Sequence, residues 1–270
     1  MMTTIMSSYI SSIDGLPVRD SGPWIQRKYF FLKKYMDIFT RAMKGKWQNR
    51  LSYIDLFAGP GRCLIRDTNS EVDGSPLIAL SHEFSKYILV EADPENLHAL
   101  RQRCGKSPKH GSIQIIEGDC NAVISKIIPE GLSLAFIDPT GIDVHFNTIR
   151  KLTSGHPVDL LMTIPFQMDI KRNFERFKQQ GSRSKLWKFL GGDVDWSIVR
   201  DAEAALELFK GRVKRLGYKT VFSREIVIKN VQRNVPMYFL FFASKNPKGF
   251  EFWNKITARD ETGQYQLELF

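Results

Sequence analysis

The feature that most constrains the fold is a regular alternation of apolar runs with helical segments. Apolar runs of strand length lie at residues 53–57, 86–93, 112–119, 132–139 and 158–166. The intervening segments, 73–84, 94–104, 120–128 and 146–152, carry helix-start signals or helical apolar spacing. Strongly apolar strands that alternate with helices predict a parallel sheet covered by helices on both faces.

The two ends of the chain depart from this alternation. Residues 24–44 place apolar side chains at helical spacing with basic residues between them, which predicts an amphipathic helix before the sheet. Residues 219–230 and 235–246 are strand-like runs joined by the short segment 231–234, which predicts an antiparallel hairpin. We therefore predict an α/β fold with a seven-stranded, mostly parallel sheet closed by a C-terminal antiparallel hairpin.

Acidic residues stand at the ends of successive predicted strands. Ligands of open α/β sheets bind at the carboxyl ends of the strands. Asp55, Glu91, Asp119 and Asp138 occupy these positions on the first four strands. One such acid alone would more often be a helix cap or a strand end, but four in register indicate a ligand site.

The first strand is followed by a turn that brings bare backbone to this edge. Gly59 and Gly61 would let backbone N–H groups approach a ligand without a Cβ clash. Glu91 is placed to accept hydrogen bonds from ribose hydroxyls, while Asp119 and the Cys120 N–H suit adenine. These features predict an adenosine-containing cofactor.

Two cofactors contain adenosine of this kind, a dinucleotide and S-adenosylmethionine. The dinucleotide fingerprint needs a third glycine, and Leu64 occupies that position. The sequence therefore favours S-adenosylmethionine. Residues 62–75 are expected to form a loop that folds over its methionyl end, and Asp55 is expected to reach its ammonium group directly or through water.

Several segments together resemble a known family. These are "YIDLFAGPGR", "GSPLIAL", "FIDPTG" and the Trp/Lys-rich N-terminal helix. From about Trp24 to the C-terminus the chain resembles class I S-adenosylmethionine-dependent methyltransferases, and within them the three-Cys-motif partner (TcmP) family. The resemblance implies a Rossmann-like class I methyltransferase fold and a companion, a radical-S-adenosylmethionine-like protein with a three-cysteine motif. It also implies a set of cofactor-binding residues: Asp55, Phe57, Gly59, Gly61, Glu91, Asp119 and Cys120.

Residues 138–141, "DPTG", occupy the place of the (D/N)-P-P-(Y/F/W) motif of amino-group methyltransferases. Asp138 and Pro139 match that motif, and we expect them to orient or deprotonate the acceptor; the alternative is a turn after the fourth strand. The motif's aromatic ring is absent, and Phe146 or Phe166 would have to supply it. Cys63 and Cys120 are interpreted as packing residues.

Charge points to a polyanionic partner. The 270-residue chain has a net charge of +10, which favours nucleic acid over the alternative of a generally basic surface. Residues 171–188 hold seven basic residues and one acid, and aromatic residues lie among them. Basic side chains contact phosphates and aromatic rings stack on unpaired bases, whereas the alternative is an ordinary helix with a solvated basic face. The candidate nucleic-acid-binding residues are Lys171, Arg172, Arg176, Lys178, Arg183, Lys185 and Trp187, and Lys214, Arg215, Lys219 and Arg224 extend the patch.

The remaining expectations concern organisation and location. Residues 1–22 lack the features of a signal peptide and are expected to be a flexible lead-in. Residues 23–270 are expected to form a single domain with a basic helical insertion at about 168–216. The 3 cysteines form no CxxC pair, so neither a disulfide framework nor a metal site is predicted, and a reducing cytoplasm fits best. No apolar run is long enough to span a membrane.

Two hypotheses for function follow. The first is an S-adenosylmethionine-dependent methyltransferase that acts on nucleic acid or a nucleic-acid-associated substrate. The second is a non-catalytic partner protein that keeps the methyltransferase fold to bind the three-cysteine companion. The altered "DPTG" segment motivates the second. The acceptor atom and the oligomeric state are left open.

Overall fold

The computed structural model describes residues 9–218, 220–221, 226–230 and 235–258. The strands in this part of the chain are β1 (Tyr9–Ile10), β2 (Pro17–Ser21), β3 (Leu51–Asp55), β4 (Arg62–Ile65), β5 (Ser70–Asp73), β6 (Lys86–Glu91), β7 (Ile113–Glu117), β8 (Leu132–Ile137), β9 (Val158–Ile164), β10 (Thr220–Val221), β11 (Ile226–Asn230) and β12 (Val235–Ser244). The α-helices are α1 (Trp24–Met43), α2 (Ser75–Leu80), α3 (Pro94–Gly105), α4 (Cys120–Val123), α5 (Phe146–Thr153), α6 (Arg172–Gln180), α7 (Lys185–Leu190), α8 (Ala202–Arg215) and α9 (Pro247–Thr257).

The main sheet has the predicted topology. Its order is β7-β6-β3-β8-β9-β12, and the first five of these strands run parallel. β12 is antiparallel to β9, and both β10 and β11 pair antiparallel with the other edge of β12. Because β10 and β11 follow one another along that edge, the sheet has seven strand positions. The prediction of a Rossmann-like α/β fold, with a seven-stranded, mostly parallel sheet and a C-terminal antiparallel hairpin, is confirmed. The turn at 231–234 lies outside the described residues.

The sheet is covered on both faces because its strands are apolar on both sides. Adjacent residues of β3 show this: Tyr53 joins a core with α1, α2, α3 and α9, and Ile54 joins a second core with α5, α6, α7 and α8. Both side chains are fully buried. The helices therefore leave only the strand ends open to a ligand.

A second, smaller sheet was not predicted. Its strand order is β1-β2-β4-β5, with β2 parallel to β4 and β4 antiparallel to β5. Residues 9–10 and 17–21, expected as part of a flexible lead-in, are two of its strands. Residues 62–75, expected as a loop, form its β4–β5 hairpin and lead into α2. Backbone pairing between β2 and β4 thus holds both segments beside the carboxyl ends of the main sheet.

Some helices are shorter than the sequence predicted. The helix expected at 120–128 is the single turn α4 followed by a tight turn at Ile124–Lys126. The helix expected at 73–84 is α2 (Ser75–Leu80), which begins directly after Gly74 and has Pro76 in its first turn. Gly74 is its N-cap, and Ser75 is a buried residue of the helix.

Candidate functional site

Topology brings the four acidic strand ends to one edge. β7, β6, β3 and β8 are neighbours in the sheet and run in the same direction. Their carboxyl ends therefore lie side by side, with Asp55 paired across the sheet with Leu89 and Phe136. The predicted convergence of acids is present in the structure.

The glycine turn after β3 is held by Glu91. The Gly59 N–H donates to Glu91 Oε2 at 2.7 Å, and the Ala92 and Asp93 N–H groups donate to Oε1 at 2.9 and 2.8 Å. Gly59 has a positive φ of 65°, and a Cβ added there would meet nothing within 4 Å. A carboxylate has about four acceptor positions on its two oxygens, so Oε2 keeps one for a ligand hydroxyl. The turn leaves open space where the sequence predicted a ligand.

A cavity of about 90 Å³ lies next to Glu91. Phe57, Asp119 and Cys120 line it, as predicted, and Asn121 lines it too. Asp119 caps α4 by accepting from the Asn121 N–H at 2.7 Å through Oδ1. Its Oδ2 accepts no protein hydrogen bond among the described residues, and the Cys120 N–H lies in the first turn of α4, where donors have no partner within the helix. The cavity therefore offers an acceptor and a donor to a heterocycle.

Asp55 does not line this cavity. It is fully buried, its Oδ2 accepts from the Tyr53 hydroxyl at 2.9 Å, and its Oδ1 accepts from the Phe57 N–H at 3.1 Å. Burial raises the pKa of Asp55 to about 6, against hydrogen bonds from Ser75, Tyr53 and Phe57 that lower it. As the side chain stands it shapes the start of the glycine turn, and a direct contact with a ligand ammonium is not available to it. The water-mediated contact that the sequence also allowed stays a prediction.

Gly61 closes the turn and is tied to α3 through Arg103. The Gly74 N–H donates to Gly61 O at 2.8 Å, and a Cβ added at Gly74 would lie 2.9 Å from the same oxygen. The buried Arg103 donates to Pro60 O at 2.6 Å and to Pro17 O at 2.8 Å. Its other nitrogens form two bonds of 2.8 Å to the carboxylate of Asp14, which hold the pKa of Asp14 well below its usual range. One guanidinium thereby fixes the glycine turn against the N-terminal strands, a role that the sequence did not reveal.

Asp138 is buried in a salt-bridge cluster. Its Oδ2 accepts from the ammonium group of Lys28, and the Arg19 guanidinium lies 3.9 Å from the same oxygen. Its Oδ1 accepts from the Thr163 hydroxyl at 2.6 Å. Burial alone would raise the pKa of Asp138, but the charges of Lys28 and Arg19 and the hydrogen bonds of Lys28 and Thr163 hold it below its ordinary value. Asp138 is therefore an anion that two cations already neutralise, and the role predicted for it would require an acceptor to compete with Lys28.

In the "DPTG" segment, Gly141 stands where the motif has its aromatic residue, and two carboxylates lie close to it. A Cβ at Gly141 would lie 2.8 Å from Asp169 Oδ2 and 3.2 Å from Asp143 Oδ2. Neither ring suggested as a substitute is available, because Phe146 packs on Phe209 and Phe166 stacks on Phe239 in the core. Expecting either ring at the site was wrong.

A second cavity, of about 150 Å³, adjoins Asp138 and Pro139 on the side of β9 and β12. Its walls include Trp24, Arg19 and Tyr238, none of which the sequence singled out. The rings near Asp138 are thus Trp24, at the start of α1, and Tyr238, on β12. The only sequence signals for them are an aromatic at a helix start and a tyrosine inside an apolar strand, which are too common to predict a site.

The basic segment at 171–188 folds as α6 and α7 beyond β9. Its aromatic residues follow the alternative interpretation: Phe174 and Phe177 are buried in the core, and the half-buried Trp187 packs against Trp196. Lys171 pairs with Glu203 at 2.7 Å, and Lys185 pairs with Asp143. The other basic candidates lie on the outside of the helices, with Lys178 partly buried: Arg172, Arg176, Lys178 and Arg183. Lys219 and Arg224 lie outside the described residues.

The three cysteines are buried and unpaired. Burial raises the pKa of both Cys104 and Cys120 to about 12, so their thiols stay protonated and unreactive at neutral pH. Within the described ranges, no group of three or more His, Cys, Asp or Glu side chains is arranged to hold a metal ion. None of the described helices has the length and apolar character needed to cross a membrane.

Comparisons with known proteins support the fold. No protein-family model and no curated protein matches the sequence. Among solved structures, the chain is similar to protein LPL1258 from Legionella pneumophila, with a TM-score of 0.53 at 16% identity over 92% of this chain and 97% of that one. It is also similar to a spermidine synthase in complex with the transition-state analogue AdoDATO (TM-score 0.48, 12% identity, 98% and 80% of the chains). A third is the bifunctional kinase-methyltransferase WbdD (TM-score 0.46, 15% identity, 82% and 39%). Of these three the Legionella protein superposes best, and at that identity the likeness supports the fold alone.

Proposed function

We propose that this protein is an S-adenosylmethionine-dependent methyltransferase that acts on nucleic acid or on a nucleic-acid-associated substrate. The observation that carries the proposal is the contact between Glu91 and the Gly59 N–H, with open space at Gly59 and a cavity bordered by Asp119 and Cys120 beside it. This arrangement offers acceptors for ribose hydroxyls and for an exocyclic amine, and a backbone donor for a ring nitrogen. The residues present therefore fit an adenosine group.

Named residues take separate parts in this proposal. Glu91 holds the ribose, Asp119 and the Cys120 N–H hold the adenine, and Phe57 borders the ring. Gly59 presents its backbone to the cofactor, and Gly61 positions that turn through its bond to Gly74. When bound, the cofactor supplies a methyl group on a positively charged sulfur, which is already a good leaving centre. The task left to the protein is to align the acceptor and to set its protonation state.

Asp138 and Pro139 border the acceptor side of the proposed site. Because Lys28 and Arg19 neutralise Asp138, we infer that this carboxylate acts by orienting groups around it and not by removing a proton. A carboxylate whose pKa is held low is a weak base, so proton transfer to it is unfavourable. The acceptor in this proposal is one that loses its proton to solvent or that needs no deprotonation.

Nucleic acid is proposed as the substrate on the basis of charge. The net charge is +10, and α6 and α7 present an exposed basic face beyond β9. In this proposal Arg172, Arg176, Lys178 and Arg183 contact phosphates, with Lys171 and Lys185 contributing once their acidic partners are exchanged for phosphate. Trp187, which is half-buried and packs against Trp196, borders the face. The buried Phe174 and Phe177 take no direct part.

The experiment that tests the proposal is transfer of a labelled methyl group. The purified protein is incubated with S-adenosylmethionine that carries a radioactive methyl group, together with separate pools of DNA, RNA and protein. We expect label in a nucleic-acid pool, released by nuclease and not by protease. The label should be lost in Glu91→Ala and kept in Glu117→Ala, an exposed glutamate on the neighbouring strand β7. Label in none of the pools, or label unaffected by Glu91→Ala, would reject the proposal.

A second candidate function is favoured by the state of Asp138. A methyltransferase-fold protein that serves as a non-catalytic partner has no need of a free acceptor-binding acid, and here that acid is occupied by Lys28. In this alternative the protein binds a three-cysteine-motif companion. Co-purification with the companion that is unchanged by Glu91→Ala, together with the absence of methyl transfer, would favour the alternative.

A further inference from the structure

The cavity beside Asp138 has features that the proposed cofactor site does not use. It lies at the carboxyl ends of β8 and β9 and at the amino end of β12. The small sheet closes it from above through Arg19 and Asp20 of β2 and through Arg66, which follows β4. Its apolar walls include Trp24 and Met168. It is thus a mixed pocket with apolar walls and charged residues on one side.

The charges of the pocket do not balance. Three cations line it, Arg19, Lys28 and Arg66, against two acids, Asp20 and Asp138. Lys28 is bonded to Asp138, and Arg66 Nε lies 2.9 Å from Asp20 Oδ1. Each acid therefore has its own close cation. Arg19, which stands 3.9 Å from Asp138 as a second and more distant cation, leaves the pocket with one positive charge in excess.

Arg19 is poorly satisfied by the protein around it. Its side chain is one-third exposed, its Nη2 donates to Thr140 Oγ1 at 3.4 Å, and its Nη1 lies 3.9 Å from Asp138 Oδ2. A guanidinium has five N–H donors arranged as a planar fork, and these two contacts are both long. By contrast, the bonds of Arg103 to Asp14, Pro17 and Pro60 are 2.6 to 2.8 Å. Arg19 therefore has unused donors at the wall of the pocket.

Tyr238 supplies a second, independent observation. Its hydroxyl is buried and has no hydrogen-bond partner among the described residues, although the residue lines the pocket. Burial raises the pKa of Tyr238 well above its ordinary value, so the hydroxyl keeps its proton and remains a donor. A buried donor without an acceptor is costly for a folded protein. A ligand oxygen that reached this hydroxyl from the pocket would remove that cost.

We propose that Arg19 and Tyr238 bind an anionic oxygen group, and that this group is a backbone phosphate of the nucleic-acid acceptor. This inference rests on the proposed function for the identity of the ligand. A planar guanidinium with free donors matches two phosphate oxygens, and the tyrosine hydroxyl can donate to a third oxygen or to one of the same two. Trp24 and Met168 then offer apolar surface to the adjoining nucleoside. The phosphate anchors the acceptor next to Asp138 and Pro139, while the exposed basic face of α6 and α7 contacts phosphates farther along the strand.

Three ligands that differ only at the 5′ position test the inference. They are uridine 5′-monophosphate, uridine 5′-carboxylate and uridine, titrated into the full-length protein by calorimetry. Pyrimidine ligands are used because they do not match the proposed adenine-binding groups, and S-adenosylhomocysteine is present throughout to fill the proposed cofactor site. We expect the monophosphate to bind about tenfold or more tightly than uridine, as a charged hydrogen bond predicts.

Matched variants locate the binding. Arg19→Gln should remove most of the preference for phosphate, and Tyr238→Phe should weaken monophosphate binding by about fivefold. Arg41→Gln removes the same charge from the exposed side of α1, far along the helix from Trp24, and should leave monophosphate binding unchanged. Arg19→Gln also removes a cation near Asp138, which could destabilise the protein. The melting temperature of this variant is therefore measured first. Tyr238→Phe removes only an unbonded hydroxyl, so it is expected to fold normally and keeps the test decisive.

Each outcome decides the inference. Equal binding of uridine and the monophosphate, or a phosphate preference that survives both Arg19→Gln and Tyr238→Phe, would overturn it. Carboxylate binding as tight as phosphate binding would overturn the assignment to a nucleic-acid phosphate. The proposed methyltransferase function fails on a different result, the absence of methyl transfer, so the two failures are distinguishable.

Discussion

At the scale of single residues, Lys28 is the clearest departure from the sequence pattern. It lies on the buried face of α1, between Ile25 and Leu32 at helical spacing, and is itself buried. Its partner Asp138 is 110 residues away in sequence. A buried charge requires a partner of this kind because the loss of hydration on burial is otherwise uncompensated. The lysine therefore marks the place where α1 passes the carboxyl end of β8.

The pair gives a prediction for stability. Lys28→Met leaves Asp138 buried with the Thr163 hydrogen bond and with Arg19, at 3.9 Å, as its remaining cation. We expect a loss of about 3 kcal/mol in the free energy of unfolding. Lys33→Met, on the exposed side of the same helix, should change the free energy by less than about 0.5 kcal/mol. Urea denaturation at neutral pH measures both. Adding Asp138→Asn to Lys28→Met should recover part of the loss, and a Lys28→Met protein as stable as wild type would contradict the account.

The sequence located a residue correctly where its position at the end of one strand was sufficient to place it. Glu91, Asp119 and Cys120 lie where the strand ends place them because the direction of a parallel sheet fixes its ligand edge. Arg19, Lys28 and Tyr238 could not be found in this way. Their contacts with the region of Asp138 join segments far apart in the chain, and no local pattern encodes which side chains meet there.

At the scale of elements, the sequence predicted the strands of the main sheet and not those of the small one. The main strands are continuous apolar runs, and β8 is buried along its entire length. β5, by contrast, has the sequence SEVD with exposed ends, and β2 begins with proline and is mostly half-buried. Such short polar strands are stabilised by their neighbours and not by their own composition. Arg103 completes this stabilisation by bonding residues 14–17 to the glycine turn.

The attachment of α1 to the sheet gives a prediction for pH. The Tyr35 hydroxyl of α1 donates to the Asp159 carboxylate of β9 at 2.6 Å, and burial raises the pKa of Asp159 from 3.8 to about 6 despite hydrogen bonds from Ser244 and Tyr35. Folding therefore favours the protonated acid. The resulting stability is fully present below about pH 4 and is lost as the pH rises through 6, by about 3 kcal/mol for a shift of this size. Burial also raises the pKa of Asp55 to about 6, so its contribution to stability falls over the same pH range.

Asp159→Asn separates this contribution from the rest. We expect the variant to lose about half of the decline in unfolding free energy between pH 4 and pH 7, since Asp55 retains its own share. The pKa of Asp138 is lowered instead, so the stability that Asp138 gains from Lys28 is lost as the pH falls. Because this loss begins only below the ordinary carboxyl range, it does not interfere with the measurement. Glu95→Gln, an exposed acid on α3, serves as the control. Denaturation curves at several pH values that are identical for wild type and Asp159→Asn would contradict the assignment.

At the scale of the whole molecule, the carboxyl edge of the sheet is divided into two pockets. One lies over β3, β6 and β7 and suits an adenosine group, and the other lies over β8, β9 and β12 and carries Arg19 and Tyr238. The glycine turn and Asp138 lie near the boundary between them. Such a division is what a reaction between a bound cofactor and a separate acceptor requires. In the proposed function, the exposed basic side chains of α6 and α7 contact the phosphates of a long polyanion.

The most direct test of this account is calorimetric titration of the full-length protein with S-adenosylmethionine and S-adenosylhomocysteine. The account predicts binding in the micromolar range that is lost in Glu91→Ala and kept in Glu117→Ala, because Glu91 alone of the two contacts the glycine turn. An absence of binding by the folded wild-type protein, or binding unaffected by Glu91→Ala, would contradict the assignment of the glycine turn to a cofactor.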